Sequence, residues 1–420
     1  MSILAISISF SYIICSLLIV LRFKTIFSPI LLTFIFFSFQ VIFALIFFGK
    51  YNLYLNGILW IFIALLFYVI GGLFVKTRSF HKVRSITMSK SAIKFTKFYI
   101  LLFSILGFIY VFIFFKSVGI TFTDLFDLQE LLSINRRIAD SRYLEEQERT
   151  IIESVTLVFV YLAPLLSGFY YNFSTKNKLI TILSFLPALV IIMTQNTKVI
   201  LIGSTFMFVT GFIVSGIITT RIYKIFVFKN IIKFVVFLFA FFALLYISMV
   251  FRTGSINSNT IEYINERFVL YSFGHIIGFD IWFSESSNIF PSYLGTRIFY
   301  GIADFIGISN RLQGVYQESV SWGSFSTNVY SVFRALIEDF GTIISLGILF
   351  FYGMFSQHIF MKVKHRLNYV SIWMLSVIYF TTFFGVFTSP WAYMSFTLVF
   401  VIFGFYLSFL YFSKGLLVSN

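Results

Sequence analysis

Charged side chains are scarce in this chain. Asp, Glu, Lys and Arg make up 11% of its 420 residues, against roughly a quarter in soluble domains, and only 16 of them are acids. A chain so poor in charge cannot cover itself with a water-facing surface, which excludes an ordinary soluble domain. Cysteine is nearly absent as well. The single Cys15 leaves no intrachain disulfide and no cysteine-based metal site, so loops outside the apolar segments must be held by packing. No acid lies in the apolar centre of any long hydrophobic run and no internal repeat is visible. That argues against the proton or sodium relays that transporters build near the bilayer midplane.

Apolar length is what the chain has in abundance, with 59% hydrophobic residues and a mean hydropathy of +0.95. Apolar runs of about eighteen or more residues cross roughly 30 Å of hydrocarbon as helices. Such runs predict eleven spans, near 2–21, 26–48, 57–75, 98–115, 151–171, 179–193, 199–218, 231–251, 342–361, 369–388 and 395–413. The sixth is short and contains Pro187, so a broken or tilted helix fits it too, and totals of ten or twelve stay open. The expected fold is an all-α polytopic membrane protein with a single transmembrane domain over 1–420. Residues 1–21 lack a basic start and a small-residue cleavage site and read as a retained first helix.

A net charge of +15 would suggest nucleic acid in a soluble protein, but here topology accounts for most of it. Residues 76–97 carry seven basic residues and no acid, which assigns them to the cytoplasm. Alternation then puts nineteen of the 31 basic residues and no acid on the inside. The N-terminus is expected outside, the C-terminus inside, and all acids fall in or beside two outer excursions, 116–150 and 252–341. The second is long enough to fold as a small unit on the membrane, so function is sought there.

Within that loop, Glu266 to Phe283 and Arg297 to Ile308 are too interrupted to span and too apolar to float free, so they predict short interfacial or re-entrant helices. Its basic residues are Arg252, Arg267, Arg297, Arg311 and Arg334, with no lysine. Arginine makes bidentate contacts to phosphate oxygens, so a pyrophosphate is the natural ligand, while each arginine can equally pair with an acid of the same loop. His275 is the loop's only histidine and could take a proton from an attacking hydroxyl, or sit in the core bonded to a carbonyl. Asp280, Glu285 and Asp304 are competing bases.

The loop ends in Gly323-Ser324-Phe325-Ser326-Thr327-Asn328-Val329-Tyr330, Arg334 and Glu338-Asp339-Phe340-Gly341 before the ninth span. A Thr-Asn-Val-Tyr run, an arginine, then an acid with Phe-Gly resembles the pattern ahead of a late transmembrane helix in Wzy-type oligosaccharide repeat-unit polymerases. By elementary helix physics the same residues read as a helix start, with Glu338 and Asp339 favoured by the dipole and Arg334 paired to Glu338 one turn on. Thr194-Gln195-Asn196-Thr197-Lys198, at the start of the seventh span, is similar to the polar, basic turn those polymerases and related ligases carry, with Lys198 where arginine is frequent. Arg267 and Gly278 repeat a spacing found in some members. The likeness covers the whole chain in architecture and about thirty residues in motif.

The resemblance implies a glycosyltransferase of the bacterial cytoplasmic membrane whose substrates are glycans on polyprenyl pyrophosphate, polymerised into a surface polysaccharide such as O-antigen, capsule or exopolysaccharide. Lys198, Arg252, Arg267, Arg297 and Arg334 would bind the pyrophosphate, and His275, Asp280, Glu338 or Asp339 would act as base. No metal or other cofactor is implied. Membrane lipid, a chain-length regulator and a flippase are the implied partners, and nucleic acid is not. The chain has no Asp-x-Asp nucleotide-sugar motif, consistent with a lipid-linked donor. A ligase, a flippase or exporter of lipid-linked glycans, and an envelope scaffold are the alternatives.

Overall fold

The computed structural model describes residues 3–23, 25–75, 86–121, 123–143, 151–174, 178–195, 197–222, 228–253, 258–286, 291–309, 316–365 and 368–418. The chain is an all-α multi-pass membrane protein. Among the described residues nine helices are long and apolar enough to cross a bilayer, and two shorter apolar helices, Leu179–Gln195 and Tyr369–Phe384, fall at the sixth and tenth predicted spans. Arg311, the acids Glu145, Glu146 and Glu148, and the bases Lys76, Arg78, Lys82 and Arg84 lie outside the described residues.

The helices fall into two compact units interleaved along the chain. The first comprises Met1–His81, Val269–Arg366 and Met374–Met394, and the second Lys82–Phe268, Leu367–Trp373 and Ser395–Asn420.

In the first unit, α1 (Ile3–Phe23), α2 (Pro29–Phe48) and α3 (Asn56–Leu73) pack with α12 (Val332–His365) and most of α13 (Tyr369–Phe384). Water gives no drive for helices to associate inside a bilayer, so close backbone approach and buried hydroxyls must hold them. Both are present. A Cβ on Gly71 of α3 would sit 1.9 Å from Phe350 O of α12, and one on Gly353 2.0 Å from Tyr68 O, so this crossing admits only glycine. Ser28 Oγ donates to Gln357 Oε1 at 2.9 Å, and Thr33 and Thr382 share a hydrogen bond at 2.8 Å.

The second unit contains α4 (Lys90–Val118), α5 (Leu128–Tyr143), α6 (Ile151–Tyr171), α7 (Lys178–Gln195), α8 (Lys198–Ile218), α9 (Phe228–Thr253) and α14 (Met394–Phe412). Ser89 caps α4 by accepting from Ala92 N at 3.2 Å. Strand β1 (Ile86–Met88) pairs antiparallel with β4 (Leu416–Val418). The break considered at Pro187 is not there. α7 runs through it as one helix, its ring lying where a Cβ on Gly107 of α4 would meet it at 3.3 Å.

Glu266 to Phe283 also departs from the expected short interfacial pieces, because it lies inside one 28-residue helix, α10 (Ser258–Glu285). The glycines that interrupt its pattern serve packing. A Cβ on Gly278 would come within 2.7 Å of Thr327 Cγ2 of the hairpin, and one on Gly274 within 2.6 Å of Leu270 Cδ1, one turn earlier on the same helix. Arg297 to Ile308 does contain a short helix, α11 (Tyr300–Phe305), flanked by exposed Leu294, Phe299, Ile306 and Ile308.

Candidate functional site

The chain from Tyr316 into α12 builds a polar site inside the first unit. Strands β2 (Val320–Trp322) and β3 (Phe325–Thr327) form an antiparallel hairpin closed by the two-residue turn Gly323-Ser324, and its Trp322 and Phe325 rings pack edge-on against Phe48. The hairpin returns residues 328–330 beside residues 316–318. Asn328 Nδ2 donates to Tyr316 O at 3.2 Å and Tyr330 OH to Glu318 O at 2.9 Å.

α12 begins where Val332 N donates to Gly385 O at 2.8 Å, and it is not one straight helix. Gly341 adopts φ 76° and ψ 171°, a conformation open essentially to glycine alone, and breaks α12 into a limb of residues 332–340 and a spanning limb from residue 342 onward. Arg334, Glu338 and Asp339 stand on the first limb.

Arg334 is the centre of the site, its side chain only 4% exposed. Nε donates to Glu338 Oε1 at 2.8 Å and Nη2 to Glu318 Oε2 at 2.9 Å. Its guanidinium carbon lies 4.0 Å from the Tyr316 ring centroid, 4.2 Å from Tyr330 and 4.9 Å from Trp282, an aromatic cage that favours a delocalised planar cation. Glu338 also faces Arg297, at 3.5 Å from Oε2 to Nε, without hydrogen-bond geometry. Arg297 in turn stacks 4.2 Å over Tyr293.

Asp339 fixes this second arginine from behind. Its carboxylate accepts Arg297 N at 3.0 Å and Ile298 N at 2.8 Å, while Ser292 N donates to Glu338 O at 3.1 Å. The result is two guanidinium groups on either side of one glutamate, in a place where Arg334 Nη1, Glu338 Oε2 and the Tyr316 hydroxyl are buried without a hydrogen-bond partner among the described residues. Buried polar atoms are rarely left unanswered, and several in one cluster point to a ligand or ordered water that completes it.

The nine residues singled out in sequence separate. Arg297, Arg334, Glu338 and Asp339 come together as just described. Asp280 serves another purpose: its carboxylate accepts the backbone N–H groups of Leu55 and Gly57, both at 2.9 Å, and of Ile58 at 3.3 Å, capping the start of α3. Burial pushes its carboxyl above the ordinary aspartate range, and those three donors pull the other way. Asp280→Asn is expected to lower stability by about 1–3 kcal/mol, because an amide cannot accept at both positions, while activity per folded molecule is kept. Thermal midpoint and turnover measured on the same sample check this.

His275 is buried, 5.0 Å from the Phe387 ring, with neither ring nitrogen hydrogen-bonded. Burial alone pushes its imidazole down to about 3. Because the folded state holds this group neutral while the unfolded chain takes up a proton below about pH 6.5, stability is full above that value and is lost as pH falls toward the folded one. From pH 7 to 5 a loss of about 2 kcal/mol is expected, and His275→Phe should flatten that dependence in thermal melts.

Lys198, Arg252 and Arg267 belong to the second unit. Lys198 opens α8, Arg252 stands in the last turn of α9, and Arg267 lies on α10 beside Phe268, around an apolar cluster of Ile192, Leu201 and Leu245. Both arginines act electrostatically on Lys198, and Arg267 stacks 5.1 Å from the Tyr263 ring. Of the further bases, Glu285 ends α10 and Asp304 lies in α11. Among the described residues no three His, Cys, Asp or Glu side chains are grouped to hold a metal ion.

Tyr316, Tyr330, Trp282 and Glu318 were not singled out in sequence. Tyr330 stood in the motif as a letter only, and nothing in spacing announces that residues 316–318 return to the start of α12. Compared with models of known families, with curated proteins and with solved structures, the chain has no match.

Proposed function

We propose that this chain is a membrane glycosyltransferase that polymerises polyprenyl-pyrophosphate-linked oligosaccharide repeat units into a surface polysaccharide, on the outer face of a bacterial cytoplasmic membrane. One observation carries the reading: two arginines flank a glutamate in a buried polar cluster at a helix break in an otherwise apolar membrane protein. Ionisable groups buried together in this way cost stability, and such clusters concentrate at functional sites.

Glu318 is 79% exposed, so its bond to Arg334 is the weak one in the cluster. A pyrophosphate, with more charge and more acceptor oxygens, replaces that carboxylate and meets Arg334 through two parallel N–H donors. Arg297 is the second cation within reach of the same group. In the reaction a hydroxyl of the acceptor sugar attacks the anomeric carbon of the donor, the bond from that carbon to the pyrophosphate oxygen breaks, and polyprenyl pyrophosphate leaves with the electron pair. Guanidinium groups held in place stabilise that growing charge more than the ground state. Glu338 takes the hydroxyl proton, since its Oε2 is a buried carboxylate oxygen of the cluster with no hydrogen bond among the described residues. Asp339 has both oxygens occupied by backbone N–H groups and positions the Arg297 segment instead. A single displacement of this kind inverts the anomeric carbon.

The test is genetic. Deleting the gene should reduce surface polysaccharide to single repeat units on a gel. Wild type should restore the ladder, and Arg297→Ala or Arg334→Ala that reaches the membrane should not. Intact polymer after deletion overturns the proposal, and long polymer stranded on its carrier identifies a ligase instead.

A further inference from the structure

Tyr316 enters the cluster from outside the helices, and its ring and carbonyl are both engaged. The side chain is buried, the carbonyl accepts from Asn328, and the ring lies against the Arg334 guanidinium and edge-on to Tyr330 at 5.2 Å. Its hydroxyl has no partner among the described residues. Tyr330, in the same cage, shows the contrast: its hydroxyl is answered by Glu318 O. A phenol buried without a bond weakens the fold, and a phenylalanine would stack on Arg334 as well without that cost. The hydroxyl therefore serves something other than the cage.

Burial and the neighbouring Glu338 charge raise Tyr316 far above the ordinary phenol range, so it is a neutral donor. The guanidinium on which it lies offers a second unanswered donor, Nη1. Two unanswered donors on stacked groups, the guanidinium carbon 4.0 Å from the ring centroid, call for a ligand rich in acceptor oxygens. We infer that Tyr316 is a ligand-binding residue whose hydroxyl donates, together with Arg334 Nη1, to phosphate oxygens of a membrane-borne pyrophosphate. This rests on the reading of the cluster as a pyrophosphate site and adds to it a neutral donor that geometry, not charge, selects.

Binding of farnesyl pyrophosphate to the purified full chain tests it, with inorganic pyrophosphate and farnesol as separate probes for headgroup and tail. Tyr316→Phe should weaken farnesyl pyrophosphate and inorganic pyrophosphate by about tenfold or more and leave farnesol unchanged, while the thermal midpoint of the ligand-free protein holds or rises. Tyr12→Phe removes another buried, unpartnered hydroxyl, in α1 against Phe34 and Phe62, and should leave binding at the wild-type level. Wild-type binding by Tyr316→Phe overturns the inference, as does weakened binding with a lowered ligand-free midpoint, which would mark a structural role. Arg334→Gln separates the two levels: if it loses binding while Tyr316→Phe keeps it, only the role of Tyr316 falls. If Arg334→Gln binds as wild type, or wild type does not bind, the pyrophosphate site falls with it.

Discussion

Arg334→Lys should reduce chain extension by on the order of a hundredfold or more, although the charge is kept. Lysine is a point charge without the planar fork, so it cannot offer a pyrophosphate two parallel donors while a third stays fixed on Glu338, and it loses the flat stacking on Tyr316, Tyr330 and Trp282. Removing one positioned donor from a developing negative charge typically costs a factor of about 10²–10³. Arg334→Ala goes further, because Glu338 then loses its hydrogen-bonded partner in a buried place, which costs on the order of 3 kcal/mol of stability. The double variant Arg334→Met with Glu338→Gln removes both charges and should recover much of that stability without activity. Turnover and thermal midpoint on purified protein distinguish the three, and a Lys variant within threefold of wild type would show that only net charge matters at this position.

The second large effect is expected at Gly341. An alanine there meets Pro291 Cδ at 3.6 Å, an ordinary contact, so the obstacle is conformational rather than steric. Holding a non-glycine residue at φ 76° and ψ 171° costs about 1–3 kcal/mol, and the chain can escape by winding α12 continuously through the break. Ser345 Oγ shares its proton between Gly341 O, one turn back, and Leu336 O across the break at 3.0 Å, and a continuous helix would forfeit the second contact. The first limb would then swing Arg334 and Glu338 away from Tyr316 and Arg297. Gly341→Ala should therefore reach the membrane in normal amount, since the spanning limb is unchanged, yet lose tenfold or more in activity. Normal activity would mean the bend is dispensable.

Much of the scaffold was legible because the bilayer imposes a simple rule on sequence: apolar runs of sufficient length become helices. Even the short run around Pro187 obeys it, since a proline in a membrane helix is tolerated when neighbours such as α4 pack closely. The end of the long loop was legible in part for the same local reason. Arg334 and Glu338 are one turn apart on a helix, and they pair as that spacing requires.

What escaped the sequence depends on contacts between distant segments. Glycine at 278 interrupts the apolar pattern of α10 because the hairpin presses on it, and pattern alone cannot separate a packing glycine from a helix breaker. Asp280 reads as a free base until α3 is seen to start on it. Tyr316 is silent in any periodicity, since its place in the cage follows from hydrogen bonds of residues 316–318 to residues 328–330 across a hairpin. His275, suggestive as the only histidine of its loop, sits in a buried position where only burial acts on it.

The most direct measurement places the purified chain in liposomes with a polyprenyl-pyrophosphate-linked repeat unit as the sole substrate and follows glycan length together with free polyprenyl pyrophosphate. Wild type should produce a ladder and release one carrier per linkage formed, and Arg334→Lys should produce neither. Repeat units that stay single in the presence of well-folded wild type would contradict polymerase chemistry at the Arg334 cluster.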